Sequence, residues 1–266
     1  MVPHSLVASP RLKPFLDAFA AGKKLVVLTA YDYTQARLAE EAGVDLLLVG
    51  DSLGMVEQGR DSTSGVTLDQ MVYHTRMAAR GRRQVPIVAD LPLHSYDDPE
   101  TAVESSKLLM AAGADAVKFE GNPTGVAQAI LGAGIPVMGH LGLLPQTAAD
   151  FKVRGKDAAE AAQIASDARS LAAAGCFSLV LECVPLGLGR DVTQGLGIPT
   201  IGIGAGPETS GQVLVFHDLL GLVDGRKAKF VPSAYALVGE AVRRAVGAWA
   251  GDVRQGVYPS DAESYH

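Results

Sequence analysis

The sequence predicts an α/β chain of the (β/α)8 TIM-barrel class, and three observations predict it. One pattern recurs: an Ala-rich helical stretch, a Gly stop, a short apolar run and then a polar residue. It appears in EEAGVDLLLVGD (40–51), AAGADAVKFEG (111–121), GAGIPVMGHLG (132–142) and AAAGCFSLVLEC (172–183). The apolar runs lack polar alternation, which suits parallel strands buried on both faces. The length of 266 residues also fits, since such barrels run to roughly 250 residues as one domain.

Taken in order, the expected strands are Leu25–Tyr31, Leu46–Gly50, Ile87–Asp90, Ala116–Glu120, Val137–His140, Leu179–Glu182, Thr200–Gly204 and Val213–Phe216. Helical patterns lie between them, notably over 67–80, 99–112, 157–174 and 234–250. Each Gly that ends a helix suits the position where a left-handed backbone costs least without a Cβ. Residues 1–22 read as an N-terminal extension with a helix, and 234–266 as a C-terminal helix and polar tail. No linker or low-complexity stretch divides the chain, so 1–266 reads as one barrel domain. The eighth strand has the faintest pattern, which leaves an open doubly wound sheet as the structural alternative.

Composition narrows the function. Hydrophobic residues make up 48% of the chain and charged ones 20%, enough for a large core. The net charge of −6 and the lack of a Lys/Arg run speak against nucleic acid. Cys176 and Cys183 have no Cys-x-x-Cys spacing and read as free thiols of a reducing compartment. The N-terminus lacks the apolar core of a signal peptide, and no apolar run is long enough for a membrane span. The expectation is a cytoplasmic protein with no membrane or nucleic-acid partner.

In this fold the active site forms at the C-terminal ends of the strands. Those ends are acidic here: Asp51 closes LLLVGD, Asp90 closes IVAD, Glu120 closes VKFE and Glu182 closes LVLE. Asp45 and Asp115 lie at strand starts, where a stabilising role is the most to expect. Four carboxylates on four strands would converge on one axial pocket, although any α/β protein needs some polar residues where strands leave the core. Convergent carboxylates repel, and a hard divalent cation such as Mg2+ would hold them. Manganese or cobalt would also suit an oxygen-rich site. The six histidines are scattered and offer no zinc motif.

Lys118 stands two positions before Glu120, so period-two alternation puts both on one face of the strand. A buried ammonium needs a partner. A substrate carboxylate or a developing oxyanion would serve, and so would a structural ion pair. Glu182 has apolar neighbours on both sides and suits a general base, with a loop-capping carboxylate as the alternative. Gly202-Ile203-Gly204-Ala205-Gly206 fits a phosphate nest or merely a tight turn, and no ligand is assigned to it. His140 and Tyr31 are pocket-lining candidates.

The stretches TAYDY (29–33), LLVGDSLGMVEQGRDST (47–63), VTLDQMVYHTR (66–76), VADLP (88–92), VKFEG (117–121), GHLGLLPQ (139–146), LVLECVP (179–185), IGIGAG (201–206) and QGVYP (255–259) carry a resemblance. In this order they resemble the ketopantoate hydroxymethyltransferases, from about residue 10 to the C-terminus. The resemblance implies a barrel related to phosphoenolpyruvate mutase and isocitrate lyase, commonly assembled as a homodecamer. It implies transfer of a hydroxymethyl group from the co-substrate 5,10-methylenetetrahydrofolate to 3-methyl-2-oxobutanoate, giving 2-dehydropantoate for pantothenate and coenzyme A, through an enolate stabilised by one Mg2+ per subunit. Matched motif by motif, Asp51, Asp90 and Glu120 resemble the metal-site acids. Asp51, Ser52, Asp90 and Lys118 resemble the positions that hold the keto acid, and Glu182 resembles the proton acceptor. One departure stands out: TAADFKVRG (147–155) is about three residues shorter than the loop the family usually carries there. The folate contacts of that loop are therefore open.

Two other functions fit the same residues. A carbon–carbon lyase of the mutase/isocitrate-lyase group would share the metal acids but release a small aldehyde or keto acid without folate. A non-catalytic barrel that binds a small acid would need no base at Glu182.

Overall fold

A computed structural model describes residues 9–223, 228–231 and 235–266. Eight strands alternate with helices: β1 (Leu25–Thr29), α2 (Tyr33–Glu41), β2 (Leu46–Val49), α3 (Leu53–Val56), α4 (Leu68–Gly81), β3 (Ile87–Asp90), α5 (Pro99–Ala112), β4 (Ala116–Lys118), α6 (Thr124–Gly132), β5 (Val137–Gly142), α7 (Ala158–Ala174), β6 (Ser178–Glu182), α8 (Leu186–Gly195), β7 (Thr200–Ile203) and β8 (Gly211–Leu214). Helix α1 (Lys13–Ala20) precedes them. Each strand pairs in parallel with the next, and β8 returns to β1 along Leu25–Leu28 against Gly211–Leu214, closing the barrel. The closed ring excludes the open sheet.

Local sequence explains the helix boundaries. The Asp32, Asp98 and Asp157 side chains accept hydrogen bonds from free backbone N–H groups at the starts of α2, α5 and α7. Thr67 and Gln70 form a reciprocal capping box on α4. Gly113 and Gly175 end α5 and α7 with φ of 111° and 108°, the left-handed geometry that a Cβ would penalise.

Side chains from alternating strand positions fill the interior, among them Val27, Leu46, Leu48, Val88, Met138, Val180 and Ile201. The N-terminal segment seals the lower end. Leu12 and Phe15 join this core, and Phe15 meets the edge of Phe177 at 6.3 Å between ring centres. Asp115 anchors the same end, as expected of a strand-start acid. It accepts hydrogen bonds from Arg82 at 2.5 Å, Ser9 at 3.0 Å and the Ile87 N–H at 2.9 Å. Asp45 likewise accepts from the Val26 N–H at 2.7 Å.

Several boundaries differ from expectation. β8 runs from Gly211 to Leu214, and Phe216 instead begins the short helix α9 (Phe216–Leu219). The pairing with β1 sets this register, and Gly211 permits it, because a Cβ there would lie 2.4 Å from the Leu25 carbonyl. β1 stops at Thr29, β2 at Val49 and β7 at Ile203, each short of its expected end. β4 stops at Lys118, so Glu120 lies beyond the strand, where the Gly121 N–H bonds the His140 carbonyl at 2.9 Å. β5 extends to Gly142 because Leu141 and Gly142 pair with Leu181 and Glu182. The expected start of the last helix, residue 234, lies outside the described residues, as does the N-terminal extension through residue 8.

The chain divides into two compact units, the barrel through Val215 and a C-terminal unit over Phe216–His266. The second unit contains α9 and the long helix α10 (Val238–Gln255). Trp249 packs edge-on against Tyr258 at 6.3 Å, while Val242 and Val246 stay exposed. No helix among the described residues is long and apolar enough to cross a membrane.

Candidate active site

The strand exits gather five charged side chains and a histidine at one mouth of the barrel. Asp90, the last residue of β3, is buried. Its Oδ2 accepts the Asp51 N–H at 3.1 Å, and its Oδ1 lies 3.1 Å from Lys118 Nζ. His140 stands between Lys118 and Glu182, with Nδ1 3.3 Å from Lys118 Nζ and Nε2 3.2 Å from Glu182 Oε2. An ammonium only donates, so His140 Nδ1 accepts and the ring proton sits on Nε2. Glu120 Oε1 approaches the same ring at 3.6 Å. The Tyr31 hydroxyl and Ser52 Oγ share a hydrogen bond of 2.8 Å on the adjoining wall.

The electrostatics are those of an acid cluster short of positive charge. Burial and the neighbouring Asp90 push the Asp51 carboxyl up to about 7, against the opposing pull of Lys118 and the Gln146 amide. Burial pushes Glu120 up to about 9, Asp51 and Asp90 adding to the rise. Burial alone would lower the Lys118 ammonium, but Asp90, Glu120 and Asp51 outweigh it and hold Lys118 above the usual lysine range. Burial, then Lys118, lowers the His140 pKa and favours the neutral ring.

A hard divalent cation fits this donor set. Carboxylate oxygens dominate it, and burial, with the neighbouring carboxylates adding to it, pushes Asp51 and Glu120 toward the protonated form, a cost that a cation would relieve. Among the described residues no three His, Cys, Asp or Glu side chains enclose an ion by themselves. Mg2+ takes one or two carboxylates and completes its shell with water and substrate oxygens, and the adjoining Asp51 and Asp90, linked by the 3.1 Å bond from the Asp51 N–H, offer such a pair. A separate cavity of about 370 Å3 on the barrel's flank, lined by Tyr33, Glu57, Tyr73, His74 and Met77, shares only Tyr31 with the cluster.

Residues 11–261 match the family model described as ketopantoate hydroxymethyltransferase. The chain belongs to that family. It is 47% identical over 272 residues to the 3-methyl-2-oxobutanoate hydroxymethyltransferase of Moorella thermoacetica, covering 100% of both chains. It is 50% identical over 257 residues to that of Anaeromyxobacter dehalogenans, covering 92% of this chain and 84% of the relative. Among solved structures, the barrel resembles 2,3-dimethylmalate lyase, a member of the phosphoenolpyruvate mutase/isocitrate lyase superfamily, with a TM-score of 0.61 at 19% identity, covering 96% and 92% of the two chains. At that identity the likeness concerns the fold.

In this chain Asp51, Ser52, Asp90, Lys118, Glu120, His140 and Glu182 all come together, with Tyr31 beside them. The glycine-rich exit of β7 shows tight packing. A Cβ on Gly202 would meet Thr209 Oγ1 at 2.6 Å, and one on Gly206 would meet Leu186 Cβ at 2.8 Å. Cys176 and Cys183 are free thiols. Cys183 adopts φ 47°, a left-handed conformation that disfavours a side chain, directly after Glu182. Its N–H bonds the Ile203 carbonyl at 2.8 Å, and its carbonyl accepts from the Arg154 N–H at 2.9 Å, which ties the short 147–155 loop to the end of β6. Sequence reasoning missed Gln146 and Tyr96. Gln146 donates to Asp51 Oδ2 at 2.7 Å, and Tyr96 donates to Gln146 Oε1 at 2.5 Å. An uncharged amide after Pro145 carries no electrostatic signal, although its place at the exit of β5 was readable.

Proposed function

We propose that this chain transfers a hydroxymethyl group from 5,10-methylenetetrahydrofolate to 3-methyl-2-oxobutanoate, giving 2-dehydropantoate for pantothenate and coenzyme A synthesis. The observation that carries this reading is the placement of Glu182, a base candidate, across one buried mouth from the Asp51–Asp90–Lys118 cluster, with His140 between them.

One Mg2+ per subunit, when bound, would polarise the oxygens of the keto acid as a Lewis acid. Asp51 and Asp90 would hold it. Glu120, whose Oε2 already accepts the Gln146 N–H at 3.0 Å, would join them as the third metal-site acid. Lys118 supplies countercharge for the substrate carboxylate, and Ser52 lines the keto-acid side. Glu182, with His140 Nε2 3.2 Å from its Oε2, takes the proton from C3. Water adds to the methylene carbon and supplies the hydroxyl oxygen, the electron pair left on C3 bonds to that carbon, its bonds to N5 and N10 of the folate break, and the C3 proton and one water proton end on those nitrogens as tetrahydrofolate leaves. Free thiols suit a cytoplasmic setting. Assembly into a homodecamer, which the family resemblance implies, belongs to the same proposal, and the exposed Val242 and Val246 of α10 offer apolar surface for it.

Incubating the protein with Mg2+, the keto acid and the methylene folate tests the reading by mass spectrometry. Formation of 2-dehydropantoate that depends on both folate and Mg2+ is the expected result. Cleavage of a substrate without folate would instead favour the lyase alternative.

A further inference from the structure

Gln146 makes more connections at the barrel mouth than its uncharged side chain suggests. It sits on the loop after β5 and is buried. Its Nε2 donates to Asp51 Oδ2 at 2.7 Å, beyond β2, and to the Leu91 carbonyl at 2.9 Å, beyond β3. Its backbone N–H donates to Glu120 Oε2 at 3.0 Å, beyond β4. One residue therefore ties together the exits of three neighbouring strands.

The amide can take only one orientation. The Leu91 carbonyl is a pure acceptor, so the NH2 group must face it, and the same group reaches Asp51 Oδ2. A flipped amide would set its oxygen against that carbonyl. The amide oxygen then requires a donor, and the Tyr96 hydroxyl provides it at 2.5 Å. Tyr96 in turn packs over Phe119, ring centres 6.0 Å apart, which fixes the hydroxyl. Both amide hydrogens and the amide oxygen are used, so the side chain has no freedom left to follow a moving carboxylate.

We infer that Gln146, held by Tyr96, is a positioning residue that presents the Asp51 and Glu120 carboxylates to a divalent cation. With one Asp51 oxygen bound to the amide, the other is turned toward the cation, and the carboxylate cannot swing away to solvent. Groups that orient metal ligands in this way typically contribute 10–100-fold to affinity. The inference rests on the reading that Asp51 and Asp90 hold the metal.

Calorimetric titration of Mg2+ into the full-length protein, wild type and Gln146→Met, tests it. Methionine fills a similar volume without hydrogen bonds. Affinity should fall roughly 10–100-fold, and turnover should be lost at limiting Mg2+ yet recover at saturating Mg2+, a recovery that general damage to the fold would not allow. Tyr96→Phe, which leaves the amide in place but unanchored, should give a smaller loss in the same direction and carries the test if Gln146→Met does not fold. Mg2+ binding by the wild type with unchanged affinity in the variants would overturn the role of Gln146 alone. A wild type that does not bind Mg2+ would overturn the metal reading together with it.

Discussion

Glu182 and Asp90 do different work, and substitution should separate them. Glu182→Gln keeps the shape of the side chain and its neighbour His140 but removes the base. Keto-acid binding should persist while exchange of the C3 proton slows by roughly 10²–10⁴-fold. NMR in deuterated water reads this directly, and unchanged exchange would remove Glu182 from the chemistry. Asp90→Asn takes a carboxylate from both Lys118 and the Asp51 N–H. Mg2+ affinity measured by calorimetry should drop, and an unaltered value would exclude Asp90 as a ligand. The charged members of the cluster were readable in the sequence because a strand exit ending in a carboxylate is conspicuous after an apolar run. Gln146 and Tyr96 were not, because hydrogen-bond geometry across loops leaves no trace in periodicity.

At the scale of elements, the strand and helix order was legible, since buried parallel strands and capped helices follow local rules. The ends were less so. Glu120 lies past β4, and β8 begins two residues earlier than its apolar run suggests, because pairing across the barrel sets where a ladder stops. Close approach between elements was also invisible. Gly142, with φ 98°, would bring a Cβ to 2.2 Å from the Glu182 carbonyl. Gly142→Ala should therefore push the end of β6 outward, costing about 1–3 kcal/mol of stability in urea unfolding and lowering C3 exchange at the same time. Full activity in this variant would show that the β5–β6 contact tolerates displacement.

For the molecule as a whole, the acid cluster sets a dependence of stability on pH. The Asp51 carboxyl is raised from 3.8 to about 7 and Glu120 from 4.5 to about 9, so the metal-free fold holds protons there that the unfolded chain releases. This contribution is fully present below the unfolded values and is lost as pH rises through the folded ones. A bound cation removes the penalty, since it favours the ionised acids. The gain in thermal midpoint on adding Mg2+ should therefore widen from about pH 6 to about pH 8. A gain that stays constant across that range would dissociate these acids from ion binding.

The joint between Leu25–Leu28 and Gly211–Leu214 also governs how the chain can be made. Until the segment near residue 211 leaves the ribosome, the nascent sheet carries two bare borders of unpaired amides and carbonyls, the kind of surface on which strands of other chains add. Such distant contacts also slow folding. A chain ending before Gly211 should accumulate as aggregates, whereas one ending after Val215 should retain the sealed ring; sedimentation of the two fragments after expression would show the contrast.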